Sequence, residues 1–115
     1  MKIKSAIHAA VVLAAAFALT GAHAQDAAGA RGMAATCFTC HGTDGNSVGG
    51  VPPGLAGQNK DYMLQQLKDF KAGKRPATVM QQHAKGYTDQ QLEQIAAYFA
   101  AVKPAAPVAA PRAGN

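Results

Sequence analysis

The sequence predicts a small all-α domain with three main helices joined by long loops. Apolar residues recur at helical spacing in two stretches, Tyr62 to Phe70 and Leu92 to Val102. No alternating or continuous run of β-branched residues offers a strand. Aromatic residues make up only 6% of the chain and Trp is absent, so an ordinary core would be thin. Small domains of that kind recruit a staple: a disulfide, a metal or a bound group.

Positions 1–24 stand apart as a secretory signal peptide. Lys2 and Lys4 form a basic start, Ala6 to Leu19 is almost wholly apolar, and Thr20-Gly21-Ala22-His23-Ala24 supplies the small-x-small pattern, with cleavage expected after Ala24. The apolar run falls short of the roughly 20 residues that a spanning helix needs. It carries neither a lipidation cysteine nor a twin-arginine pair. The expectation is export to a periplasm, with no membrane insertion of the mature chain. Residues 25–103 then form one domain, and 104–115 a disordered Pro/Ala-rich tail.

Within the domain, Asp26 opens a short helix that reaches Ala35 and carries the chain into Cys37. Gly29 and Gly32 weaken that helix, a cost that close packing against another element would explain. "TDGNSVGGVPPGLAG", Thr43 to Gly57, is loop. Gln58 or Asn59 starts a second helix running to Lys71, with Tyr62, Met63, Leu67 and Phe70 at apolar positions, and Gly73 ends it. Residues 74–87 contain Pro76 and Gly86 and have no clean period. They read as an irregular loop, of a length that in compact domains is usually functional. Thr88-Asp89-Gln90-Gln91 is a capping box. It opens a third helix whose Leu92, Ile95, Ala96, Phe99 and Val102 form one apolar stripe, stopped by Pro104.

The formal net charge is +5, about +3 once Lys2 and Lys4 leave with the signal. The basic residues are not interleaved with stacking aromatics and match no base-reading motif, which argues against nucleic acid. Lys68, Lys71, Lys74, Arg75 and Lys85 form either a positive surface steering an acidic partner or an ordinary solvated face.

The chemistry concentrates in "ATCFTCHGTDGNS", Ala35 to Ser47, which holds both cysteines. A structural zinc site needs four ligands, usually from two clusters, and only His83 lies beyond Cys37, Cys40 and His41 in the mature chain. A thioredoxin-like C-x-x-C belongs in a βαβ setting, which needs strands. A disulfide would close a very short loop for little entropic gain and leave His41 unexplained. C-x-x-C-H as a c-type haem attachment uses all three residues. Cys37 and Cys40, three apart on a helical turn, each form a thioether to a porphyrin vinyl group, and His41 binds the iron from the proximal face.

A second axial ligand is then required, from Met33, Met63, Met80 or His83. Met33 shares the helical segment of the attachment site and cannot easily reach the opposite face. Met63 fits the apolar stripe of the second helix. Met80 and His83 remain, in the segment free to fold over the open face. A thioether would raise the potential and an imidazole lower it.

From Gly29 to Val102, with "CFTCHGTDGNS", "PPGLAGQ", "YMLQQLKDFKAGKRP", "TVM" and "YTDQQLEQIAAYFA", the chain resembles class I c-type cytochromes of bacterial periplasms. "FKAGKRPATVMQQHAKGYTD" is similar to the cytochrome subunits of flavocytochrome c sulfide dehydrogenases. The resemblance implies the class I cytochrome c fold around one covalent haem c. It also implies Met80 as distal axial ligand beside proximal His41, and Pro53 as the residue whose carbonyl accepts the other ring proton of His41. Gly29 and the Tyr98-Phe99 pair match positions where the first and last helices cross closely. His83 stays as a competing ligand. The implied function is one-electron transfer between redox partners, not catalysis at the iron. The chain would be a subunit taking electrons from a sulfide-oxidising flavoprotein or a free diffusible carrier; a thiol redox or haem-free structural module stands far behind.

Overall fold

A computed structural model of the chain describes residues 26–106. The predicted signal peptide and most of the predicted tail lie outside the described residues. Four α-helices and one 3₁₀ turn make up the fold, and no strand occurs among the described residues. α1 covers residues 26–41, followed by the 3₁₀ turn Thr43–Gly45. Then come α2 (Lys60–Lys71), α3 (Met80–Lys85) and α4 (Asp89–Ala101).

α1 runs further than its Ala-rich start suggests and carries Cys37, Cys40 and His41 on its last turns. Gly42, at φ 80°, ends it, with its N–H bonded to the Phe38 carbonyl. α2 begins where Asn59 caps it, the side chain accepting from the Tyr62 N–H at 2.9 Å. Asp61 in its first turn and Lys68 and Lys71 in its last complement the helix dipole. Gly73, at φ 74°, turns the chain away. In α4 both halves of the capping box are present, Thr88 Oγ1 accepting from the Gln91 N–H and Gln91 Oε1 from the Thr88 N–H.

α3 departs from the sequence reading, which left residues 74–87 irregular. Its six residues are too few for a period to register. Ala84 is buried, and α3 rests on packing against α2 rather than on a cap or an apolar stripe of its own.

The core is small, as composition implies. Ala34 of α1, Met63 of α2 and Ile95, Ala96 and Phe99 of α4 form one buried cluster, and Leu92 is also buried. Phe38, Tyr98 and Phe99 extend it as an aromatic trio, with ring centroids 5.2–6.3 Å apart. The α1–α4 contact runs through these rings. It does not run through Gly29, where an added Cβ would meet nothing within 4 Å, and the same holds at Gly32. The expected close approach at Gly29 is therefore absent: the helices meet further along, at Ala34 and Phe38.

Two ion pairs clasp α2 to α4: Lys60 with Glu93 at 2.8 Å and Lys71 with Asp89 at 2.7 Å. Lys71 is therefore partly neutralised, and Lys68 lies close enough to Asp89 and Glu93 to lower their pKa values. Of the five basic residues read as either a steering surface or an ordinary solvated face, Lys68 and Lys71 face acids of α4.

Candidate functional site

The helices do not close over their core. They leave a cavity of about 590 Å³, within the size range of small-molecule and cofactor sites. α1 contributes Thr36, Cys37, Cys40 and His41 to its wall. The 51–58 loop adds Pro52, Pro53 and Leu55, and α2 adds Met63, Leu67 and Phe70. Met80 and His83 face the same cavity from α3, and Ile95 and Phe99 from α4. The structure thus gathers Cys37, Cys40, His41, Pro53, Met80 and His83, spread over 47 positions of sequence, around one space. Met63 joins them as a buried core residue, whereas Met33 packs on the core outside the cavity wall.

His41 is buried. Its Nδ1 lies 2.7 Å from the Pro53 carbonyl oxygen. A carbonyl can only accept, so Nδ1 carries a proton, and in the neutral ring Nε2 keeps its lone pair. The loop reaches this point by two tethers: the Gly45 carbonyl accepts from the N–H of Leu55 and of Ala56, at 2.8 and 3.1 Å, and Ser47 Oγ donates to the Pro52 carbonyl. An imidazole so oriented presents one basic nitrogen as a metal ligand.

Both thiols are free. Burial pushes the Cys37 pKa up, Cys40 adds to the rise, and the Thr36 hydroxyl opposes it. That environment is the opposite of the electropositive one that makes a reactive redox thiolate. Among the described residues no group of three or more His, Cys, Asp and Glu side chains is arranged to hold a metal ion. The donor set fits a haem: two thiols spaced for thioethers on one helix, one oriented imidazole, a thioether or second imidazole from α3, and an apolar chamber between them.

Sequence reasoning gave no site role to Arg75 on the cavity wall or to Tyr87 beside it. Arg75 lies on the wall with its guanidinium 4.6 Å above the Phe70 ring, and it donates to Gln66 Oε1. Tyr87 lies in the stretch between α3 and α4. Its hydroxyl donates to the Met33 carbonyl and is 2.7 Å from Thr36 Oγ1, tying the α3–α4 junction to α1 beside Cys37. The Tyr87 contacts join positions 51 and 54 apart, and no local pattern announces them.

Four helices with no strand among the described residues, closing on a cavity between a C-x-x-C-H helix and a methionine-bearing helix, define a class of small c-type cytochromes. The family model for cytochrome c matches residues 27–103, and the chain belongs to that family. It is 49% identical over 87 residues to cytochrome c4 of Pseudomonas aeruginosa, covering 74% of this chain and 43% of that one. It is 48% identical over 67 residues to the cytochrome subunit of sulfide dehydrogenase of Chlorobaculum tepidum, covering 58% and 60%. The crystal structure of reduced recombinant cytochrome c4 from Pseudomonas stutzeri superposes with a TM-score of 0.64 at 41% identity, covering 69% of this chain and 46% of that chain. The chain spans about half the length of the relatives it matches. It is a class I c-type cytochrome, and its family binds covalently attached haem c. No helix among the described residues is long and apolar enough to cross a membrane.

Proposed function

We propose that the chain carries single electrons in a periplasm through one haem c, held by thioethers from Cys37 and Cys40 and ligated by His41 and Met80. The observation that carries this reading is the hydrogen bond from His41 Nδ1 to the Pro53 carbonyl, on a buried ring facing a cavity that Cys37, Cys40 and Met80 also line. The haem iron supplies a one-electron couple at a potential that its axial ligands set. The chain's own residues do the rest. Pro53 holds the His41 ring and raises its basicity. Phe70, Leu67, Ile95 and Phe99 line the chamber with apolar surface and keep water from it. Met80 is the half-buried thioether facing the cavity and His83, one helical turn on, is more exposed, which favours Met80 as the sixth ligand.

With His41 and Met80 both ligating it, a haem iron held here would have no position left for substrate, so oxidation of a small molecule would belong to a partner. The similarity to a sulfide dehydrogenase cytochrome subunit supports a flavoprotein as that partner, handing over electrons singly. The similarity to cytochrome c4, at 49% over 87 residues, supports a second reading, a free diffusible carrier.

Two experiments test these readings. Met80→Ala should lower the reduction potential and abolish the methionine-to-iron absorption band, while His83→Ala leaves both in place; a parent without that band, whose potential Met80→Ala leaves alone and His83→Ala raises, would assign the ligand to His83. Isolation of the native protein under mild conditions should bring down a flavoprotein with sulfide-oxidising activity. Recovery of the haem protein alone would favour the free carrier.

A further inference from the structure

The turn that follows His41 is built from left-handed backbone. Gly42, Asp44 and Gly45 have φ of 80°, 52° and 77°. Glycine adopts such values freely; Asp44 is the one non-glycine residue among the described ones that does so. Residues in this region persist where their surroundings over-determine them, and they cluster at functional sites. Asp44 is held from two sides. Its carboxylate accepts from the Tyr98 hydroxyl on α4 and pairs with Arg31 Nη2 on α1 at 3.1 Å. Tyr98 packs against Phe38 and Phe99. Burial and the Asp44 carboxylate push its pKa up, which keeps the phenol a donor.

From this turn a short path leads to His41. The Gly45 carbonyl holds the N–H groups of Leu55 and Ala56. Gly45 itself is fixed: an added Cβ would lie 2.8 Å from Phe99 Cδ1 and 2.9 Å from the Ala56 nitrogen. Pro53, two residues before Leu55, presents its carbonyl to His41 Nδ1. The acceptor that orients the imidazole therefore hangs from the 43–45 turn, and the turn hangs from Tyr98 and Arg31.

We propose that Asp44 and Tyr98 are positioning residues for His41: they lock the 43–45 turn to α4, and through it hold the Pro53 carbonyl against Nδ1–H and set the electron donation of Nε2. This rests on the reading of His41 as the proximal ligand. Loss of such outer partners of a metal-bound imidazole typically weakens ligation about 10–100-fold. A looser hydrogen bond at Nδ1 makes Nε2 a poorer donor, which disfavours the ferric state and raises the reduction potential.

The test uses the haem-loaded full chain and its Tyr98→Phe, Asp44→Ala and Asp44→Asn variants, with Thr88→Ala as a control that weakens the α4 cap and leaves the turn alone. Two quantities are read well below the unfolding temperature: the reduction potential, and the NMR resonance and solvent-exchange rate of the His41 Nδ1 proton. Tyr98→Phe, which keeps the ring and loses only the hydroxyl, should raise the potential and speed exchange about 10-fold or more. Asp44→Ala should do the same. Asp44→Asn, which tolerates the left-handed backbone and still accepts from Tyr98, should bring both back towards the parent. Thr88→Ala should lower the thermal midpoint and move neither. Parent-like values in Tyr98→Phe and Asp44→Ala, or equal shifts in Thr88→Ala at matched stability, would overturn the proposal. If the unmodified protein shows no iron-bound His41 resonance, the ligand reading itself fails; a normal His41 signal with unchanged variants overturns the positioning role alone.

Discussion

Phe99 joins the core to the cavity, and its truncation tests whether the two are one unit. The side chain is fully buried, meets Tyr98 and Phe38 edge-on at centroid distances of 5.2 and 6.2 Å, and lines the cavity. Its backbone carbonyl also accepts from the Gly57 N–H at 2.8 Å. Phe→Ala at such a site costs about 3–5 kcal/mol, and loss of two edge-to-face contacts of about 0.5–1.5 kcal/mol each points to the upper end. A domain of this size has roughly 4–12 kcal/mol to lose. Phe99→Ala should therefore remove about 4–5 kcal/mol, a third or more of the total, whereas Phe99→Leu, which keeps most of the volume, should cost about 1.5 kcal/mol. Guanidinium unfolding of the haem-loaded protein, followed by far-UV circular dichroism, measures both. A cost below about 1 kcal/mol for Phe99→Ala, or equal costs for Ala and Leu, would refute the picture of a close-packed ring at the cavity wall.

Two further effects can be read from the same unfolding curves. Gly32 is exposed in α1 with open space where a Cβ would go, so Gly32→Ala should stabilise by about 1 kcal/mol, raising the thermal midpoint by about 4–8 °C; a fall would mean that α1 is packed against something at this point. The hydrogen bond from Lys71 holds the Asp89 pKa down, and that from Lys60 does the same for Glu93. Depressed carboxylate values contribute stability above their unfolded pKa that is lost as pH falls through the folded one. The gap between the parent and an Asp89→Asn, Glu93→Gln double variant should thus be present at neutral pH, close below roughly pH 4, and shrink in high salt because both pairs are exposed. A gap that widens in acid would contradict the assignment.

How much of this was legible in the sequence depended on how local each cause is. α2 and α4 announce themselves, because Asn59 and the Thr88–Gln91 box mark their starts and Met63, Leu92, Ile95 and Phe99 keep the helical period. α3 was hidden between Pro76 and Gly86; its cause is the burial of Ala84 and contact with α2, which only the folded chain has. The C-x-x-C-H cluster was legible because its chemistry is compressed into five consecutive residues. The partnership of His41 with Pro53 came through resemblance alone. Tyr87 against Thr36 and Tyr98 against Asp44 join positions 51 and 54 apart, with no shared pattern to read. Charge pairing was hidden for the same reason: Lys71 looks free along the chain and is paired across helices.

The central claim is that Cys37 and Cys40 hold a haem. Intact-mass measurement under denaturing conditions, on protein made in a host that matures c-type cytochromes, tests it most directly. The mass should exceed that of the apo chain by one haem, and the increment should vanish in a Cys37→Ala, Cys40→Ala double variant. A mass equal to the bare chain, or lighter by the two hydrogens of a disulfide, would contradict it.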